Sequence, residues 1–374
     1  MKMNILFITT KLHIGGVQTF LMNYIPILVH NGISVSIAVQ THDKQPLDDY
    51  FLDLGCRIFH ITSVMESRKK YQKDICSILK VNPQINAVYD NQNFLNIFSL
   101  LTARKCGIKI RISHSHSSYK TNRIKRKIQR MIFKLFLPFF ATHCIACSEV
   151  SAKWLYGNRK VFILPNAIDE SKYRFNPSVR ESIRQKMGIE DKKVFIHVGA
   201  FSDAKNHDFL LDVFAAYLKE NDNATLILCG DGPKREDILN KIKKLSIENN
   251  VVLLGAVNNP YDFLNAADIF LFPSKYEGQG IAVIEAQTSG ISIVCSNAVS
   301  ENTKFMENMF ICKNFEVESW IEMINKIEGL SIDRTYGAIK IKNTAFSLIE
   351  TENLFLEYIK SINVKKRIAN TTRS

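Results

Sequence analysis

Short apolar runs, each followed by a longer amphipathic stretch, recur along this chain, and that alternation restricts its fold more than any other feature. The first series reads "MNILFIT", "GGVQTFLMNYIPILVHNG", "SVSIAVQ", "RIFHIT", "INAVYD", "FLNIFSLLTARKCG" and "IKIRIS". Apolar runs of this kind suit strands buried on both faces, and the amphipathic stretches suit helices that cover them, so a parallel sheet with crossover helices is expected. The pattern begins afresh at "KVFIHVGAF" and continues through "NHDFLLDVFAAYLKEN", "ATLILCGDGP", "REDILNKIKKLSIENN", "VVLLGAV", "YDFLNAAD", "IFLFPS" and "SIVCSN". A second doubly wound unit follows the first.

A chain of 374 residues is also longer than one hydrophobic core usefully supports. Between the two series, "VFILPNAIDESKYRFNPSVRESIRQKMGIEDKK" is polar, carries two prolines and has little strand pattern, which suits a connection near residues 168–188. The expected division is residues 1–168, residues 169–345, and a last segment 346–374 whose amphipathic helix "ETENLFLEYIKSIN" crosses back to the first domain before a polar tail. Ligands of doubly wound sheets bind beyond the carboxyl ends of the strands, so two such domains facing a central cleft would suit an enzyme with two substrates.

Net charge is +13, which leaves nucleic acid, anionic lipid and phosphorylated small molecules open as partners. The eight cysteines sit mostly inside apolar runs and read as reduced thiols, and the pair in "THCIACS" has no second pair to complete a zinc site. The N-terminal "MKMNILFITT" reads as a first strand and not a leader peptide, while "MIFKLFLPFFA" is too short to span a bilayer. A cytoplasmic chain is expected.

The stretch "SKYEGQGIAVIEAQTSG" places Glu277 in a strand-to-helix turn and Glu285 in the helix that follows. Gly278 and Gly280 let backbone approach a ligand, and the free N–H groups of a new helix, around Gln279 to Ile281, favour an anion such as a phosphate. A carboxylate can accept two hydrogen bonds from a vicinal diol, so paired glutamates suit a nucleotide sugar. Lys205, in "HVGAFSDAKNHDFLLDVF", stands in the loop after the first strand of the second unit, where an ammonium can neutralise a diphosphate. Gly15 and Gly16, in "HIGGVQTFLMN", occupy the first strand-to-helix loop but lack the G-x-G-x-x-G spacing of dinucleotide binders.

Taken together, "VGAFSDAKNHDFLL", "GDGP", "LPNAID" and the E-x7-E pattern from Glu277 to Glu285 make nearly the whole chain resemble the retaining nucleotide-sugar glycosyltransferases of family 4, group 1. "ISHSHSS" and "ATHCIACSEVSAKWLYG" look most like members that build capsular or exopolysaccharides. The resemblance implies an α/β chain of GT-B fold: two Rossmann-like domains, the first binding the acceptor and the second the donor. It implies that Glu285 binds the donor ribose, Glu277 the donor sugar and Lys205 the diphosphate, with Gly16 near the phosphates and Gly15, Gly230, Gly278, Gln279, Gly280 and Ile281 completing the donor site. A histidine of the first domain would sit by the donor sugar, and His114 and His116 are both candidates, so Glu277, His114, His116 and Lys205 form the catalytic set. No cofactor is implied beyond the nucleotide-sugar co-substrate, and the chain contains no D-x-D pair to clamp a metal.

Two positions depart from the family pattern. Ala200 stands where an arginine usually follows the glycine of "VG", which removes a pyrophosphate contact of about 1.5–3 kcal/mol. Ala167 replaces the commoner glycine of "PNAID".

The segment "YKTNRIKRKIQRMIFKLFLPFF" has Ile124, Ile128, Met131, Ile132 and Leu135 at helical spacing, with Lys120, Arg123, Lys125, Arg126, Lys127, Arg130 and Lys134 and no acidic residue. It reads either as a helix that sets Arg123, Lys125, Arg126, Lys127 and Arg130 against an anionic membrane, or as a core-facing helix with a solvated basic back. Nucleic acid is not an expected partner, because aromatic residues are not interleaved with these cations. The expected function is transfer of a sugar from a nucleotide donor, a UDP-sugar, to a lipid-linked saccharide, by an enzyme peripheral to the inner membrane face. The alternatives are a sugar-nucleotide epimerase and a degenerate partner protein, the latter raised by Ala200.

Overall fold

A computed structural model of the chain describes residues 2–13, 15–116, 124–330 and 332–371. It divides into two compact units, Met1–Asn166 with Thr351–Ser374, and Ala167–Glu350.

The first unit is built on strands β1 (Asn4–Thr9), β2 (Ser34–Val39), β3 (Arg57–His60), β4 (Ala87–Asp90), β5 (Ile110–Ser115), β6 (His143–Ala146) and β7 (Phe162–Ile163). They form one parallel sheet in the order β3-β2-β1-β4-β5-β6-β7. Every residue of β1 after Asn4 is buried, as the unbroken apolar run requires. On one face, Phe7 stacks on Tyr89 with ring centroids 4.6 Å apart, and Phe20 and Tyr24 of the helix Gly16–His30 pack beside them. The chain from Thr351 on belongs to this unit: Tyr24 bonds Thr351 Oγ1 at 3.0 Å, and Tyr358 stacks on Phe162 at 3.8 Å.

The second unit carries β8 (Lys193–Val198), β9 (Ala224–Cys229), β10 (Val251–Gly255), β11 (Ile269–Phe272), β12 (Ser292–Ser296) and β13 (Met309–Cys312). These also run parallel, in the order β10-β9-β8-β11-β12-β13. Successive strand residues serve opposite faces, so Val194 and Ile196 join one apolar cluster and Phe195 the other. Strand order reverses between β1 and β4 in the first sheet and between β8 and β11 in the second. At such a reversal the loops leave in opposite directions and open a crevice beyond the carboxyl ends of the strands.

The segment expected to be a connection is structured and belongs to the second unit. Pro177 does not break a helix but starts one, Pro177–Met187, whose N-cap Asn176 accepts the N–H groups of Ser178 and Val179. That helix points Arg180 and Arg184 at the carboxyl end of the helix Pro260–Ala266, where Arg334 joins them. The three guanidinium groups donate to the carbonyls of Leu264, Asn265, Ala266 and Ala267, and Asp268 pairs with Arg180 at 2.5 Å and Arg184 at 3.3 Å. Burial pushes the Arg334 guanidinium down to about 9; burial also acts to raise the Asp268 carboxyl, but the Val194 N–H and the arginines hold it below its usual range.

Candidate functional site

The strand reversal of the second sheet collects most of the residues singled out from the sequence. The loop after β8 carries Lys205 and the loop after β11 carries Glu277, and the Lys275 N–H donates to the Ala204 carbonyl at 2.7 Å, fastening the two loops together. Lys205 Nζ lies 2.7 Å from Glu277 Oε1, with side chains 20% and 11% exposed, and sits 4.4 Å above the Phe272 ring. The Phe272 face thus supports the ammonium from one side while Glu277 fixes its direction. Beneath it, His197 and His207 pack with ring centroids 4.6 Å apart. Burial pushes both below the usual histidine range, His207 to about 4, and the Lys205 charge acts the same way on each. Lys205 therefore stands over a neutral aromatic floor.

Gly280 begins the helix Ile281–Thr288 with φ of +80°, a left-handed conformation that glycine adopts without strain, so the turn from Glu277 into the helix depends on it. Gly278 and Gln279 precede it, Gln279 buried, and Ile281 opens the helix. Glu285, one turn on, is only 5% exposed, and the Tyr173 hydroxyl donates to its Oε1 at 2.7 Å. Burial pushes the Glu285 carboxyl up to about 7, against the Tyr173 hydrogen bond and the Lys205 charge, which pull it down. Tyr173 has no signal in the sequence: it is 112 positions from Glu285 and ends a short helix, Glu170–Tyr173, inside the stretch read as a connection.

Other expected residues take different places. Gly230 has a packing role, since a Cβ there would meet the Gly199 carbonyl oxygen at 2.0 Å; its lack of a side chain lets the loops after β8 and β9 touch. Ala200 is exposed, so the surface has room for the side chain it lacks.

In the first unit, Gly15 and Gly16 lie in the loop after β1, with Gly15 in an extended conformation capping the helix Gly16–His30. His114 has no exposed surface: its Nδ1 lies 2.9 Å from the Tyr89 hydroxyl and its ring meets the Phe20 edge, so it is a core histidine and the catalytic candidacy does not suit it. His116, at the end of β5, bonds Asn91 Oδ1 through Nε2 at 2.8 Å, and its N–H donates to Asn93 Oδ1. Burial pushes both rings down, His116 to about 3, so both are neutral imidazoles, each with one ring N–H, at neutral pH.

Arg123 lies outside the described residues, and of Lys125, Arg126, Lys127 and Arg130 the described part is the backbone of the helix Ile124–Phe140. Further along that helix, Phe133 packs on Phe98 and Leu137 is buried, whereas Met131, Ile132, Leu135, Phe136 and Phe139 are 45% to 66% exposed. The core-facing reading is therefore corrected for Met131, Ile132 and Leu135, which point to solvent. No helix among the described residues is long and apolar enough to cross a membrane.

The chain is similar to known proteins along most of its length. Residues 179–338 match the family model of the group 1 glycosyl transferases. The chain is 29% identical to EpsF of Bacillus subtilis (strain 168), over 79% of this chain and 80% of that protein. It is 25% identical to the UDP-Gal:alpha-D-GlcNAc-diphosphoundecaprenol alpha-1,3-galactosyltransferase of Escherichia coli, over 91% of both chains. Among solved structures, Anabaena HepE in complex with UDP and glucose superposes with a TM-score of 0.79 at 18% identity, covering 96% of this chain and all of that one. The two parallel Rossmann-like sheets have the GT-B architecture, and the family match over the second of them and the relatives spanning most of both make the chain similar to the group 1 glycosyltransferases.

Proposed function

We propose that this glycosyltransferase moves a sugar from a UDP-sugar to a hydroxyl of a lipid-linked saccharide, with retention of anomeric configuration, in capsular, exopolysaccharide or related surface polysaccharide synthesis. The observation that carries the donor reading is the Lys205–Glu277 pair beside the buried Glu285 at the β8/β11 reversal. An ammonium has three N–H donors; Glu277 takes one, and the others are available to a diphosphate. Lys205 and the helix start from Gly278 to Ile281 stabilise the charge that develops on the departing diphosphate, and no covalent nucleophile is assigned. Glu285 receives the ribose diol and Glu277 orients the donor sugar. The acceptor class and the uridine base are supported by the reaction for which the Escherichia coli relative is named and by the UDP held in HepE.

The helix Ile124–Phe140 is the membrane-docking element of the same reading. Its outward apolar stripe adjoins a run of seven cations from Lys120 to Lys134 with no acidic residue, each worth about 1 kcal/mol near an anionic leaflet. Calorimetry of the protein with UDP, GDP and ADP, repeated on Glu285→Gln, tests the donor site: a preference for UDP that weakens in the variant is expected, and equal affinity in both proteins refutes the role of Glu285. Cosedimentation with phosphatidylglycerol vesicles tests docking. The double change Leu135→Ser, Phe139→Ser should lower binding at unchanged melting temperature, and retained binding removes that helix from the membrane contact.

A further inference from the structure

Glu285 would have to present its carboxylate to a sugar from a buried position, and a buried carboxylate needs a hydrogen-bonding partner to hold one orientation. Among the described residues, the only hydrogen bond it receives is from Tyr173. Tyr173 is itself 9% exposed, packed in the apolar cluster that contains Ala282, Val283 and Ala286 of the Glu285 helix, with its ring edge against Tyr261. Two χ angles set a tyrosine, and both are fixed by this packing, so its hydroxyl is a rigid donor aimed at Oε1. Among the described residues, none donates a hydrogen bond to Oε2.

We propose that Tyr173 is a positioning residue for donor binding, whose hydroxyl clamps Oε1 of Glu285 so that Oε2 is presented to the vicinal diol of the donor ribose. This rests on the reading of Glu285 as the ribose ligand. Tyr173 touches no substrate in this scheme; it acts through the carboxylate. It also favours the ionised form, because a donated hydrogen bond stabilises the anion. The charged and titratable groups that act on Glu285 are Tyr173 and Lys205, both lowering its pKa, while Tyr173 in turn faces Tyr261 and Asp169. The same hydroxyl thus governs both the direction of the carboxylate and the pH at which it can accept two hydrogen bonds.

The test is calorimetry with UDP and with 2′,3′-dideoxy-UDP, between pH 5.5 and 8.5, on the full chain and on Tyr173→Phe and Glu285→Gln. In Tyr173→Phe, UDP affinity should fall about three- to tenfold, the scale of one hydrogen bond, while dideoxy-UDP affinity stays level. The pH below which UDP binding weakens should move upward, and it should be absent in Glu285→Gln. A merely structural tyrosine would lower affinity for both nucleotides alike, and that result overturns the proposal. Loss of ribose discrimination in Glu285→Gln with none in Tyr173→Phe overturns the proposal and leaves the ribose reading standing. Full ribose discrimination in Glu285→Gln, or no UDP binding by the unmodified chain, overturns the ribose reading and the proposal with it.

Discussion

Replacing Lys205 by methionine tests the centre of the proposed donor site, because it keeps the apolar stem and removes only the ammonium that sits over Phe272. That ammonium lies 2.7 Å from Glu277 Oε1, and in the proposed donor site its remaining N–H donors would face the diphosphate. A charge-assisted hydrogen bond is worth about 1.5–3 kcal/mol, so its loss alone should weaken UDP binding roughly 10- to 150-fold. A second effect adds to this: the variant leaves the largely buried Glu277 carboxylate, 11% exposed, without its cation. Two like charges about 6 Å apart repel by roughly 3 kcal/mol at an effective dielectric constant near 20, which places the expected loss toward the upper end. Titration calorimetry with UDP and with uridine reads both effects, since uridine carries no phosphate and should bind both proteins alike. The double variant Lys205→Met, Glu277→Gln should recover part of the UDP affinity, a coupling that a double-mutant cycle measures. Equal losses for uridine and UDP, or no loss for either, would refute the assignment of Lys205 to the diphosphate.

Two further predictions concern stability. Asp90, buried in a hydrogen-bonded network with Ser99 and Gln92, and Glu285 are both pushed up to about 7 by burial, so the folded state holds protons that the unfolded chain has released. Their stabilising contribution is complete below about pH 4 and is lost as the pH rises to about 7. Urea titrations should therefore show Glu285→Gln gaining on the unmodified protein between pH 5 and pH 7.5; a constant difference would mean that burial does not set this carboxyl. Asp268→Asn, which leaves Arg180 and Arg184 without their counter-charge, should cost about 3 kcal/mol in urea unfolding at neutral pH. Because Asp268 precedes β11 and the proposed nucleotide site follows it, UDP affinity measured below the transition should stay level.

The alternation of apolar runs and amphipathic stretches determined two parallel sheets, because strands covered on both faces must be apolar throughout while the helices over them need only one apolar side. The runs quoted for β1 to β5 and for β8 to β12 are strands in the fold, whereas β7, two residues long, is too short to leave a pattern, and β6 and β13 lie outside the two quoted series. Glu277, Glu285 and Lys205 were legible as candidates from glycines and helix starts next to them. What joins them was not: Lys205 and Glu277 are 72 positions apart and Tyr173 and Glu285 are 112 apart, and only the order of strands in the sheet brings such positions together. The helix Ile124–Phe140 shows the same limit in another form. It has apolar residues on two stripes, Met131, Ile132, Leu135, Phe136 and Phe139 on one, and Phe133 and Leu137 on the other. Periodicity draws attention to the first stripe, but which one is buried depends on the cavity the rest of the domain presents, and here it took Phe133 and Leu137. The burial of His114 and the packing role of Gly230 have the same origin: sequence names the residue and its element, and the neighbours that decide its chemistry arrive from other strands.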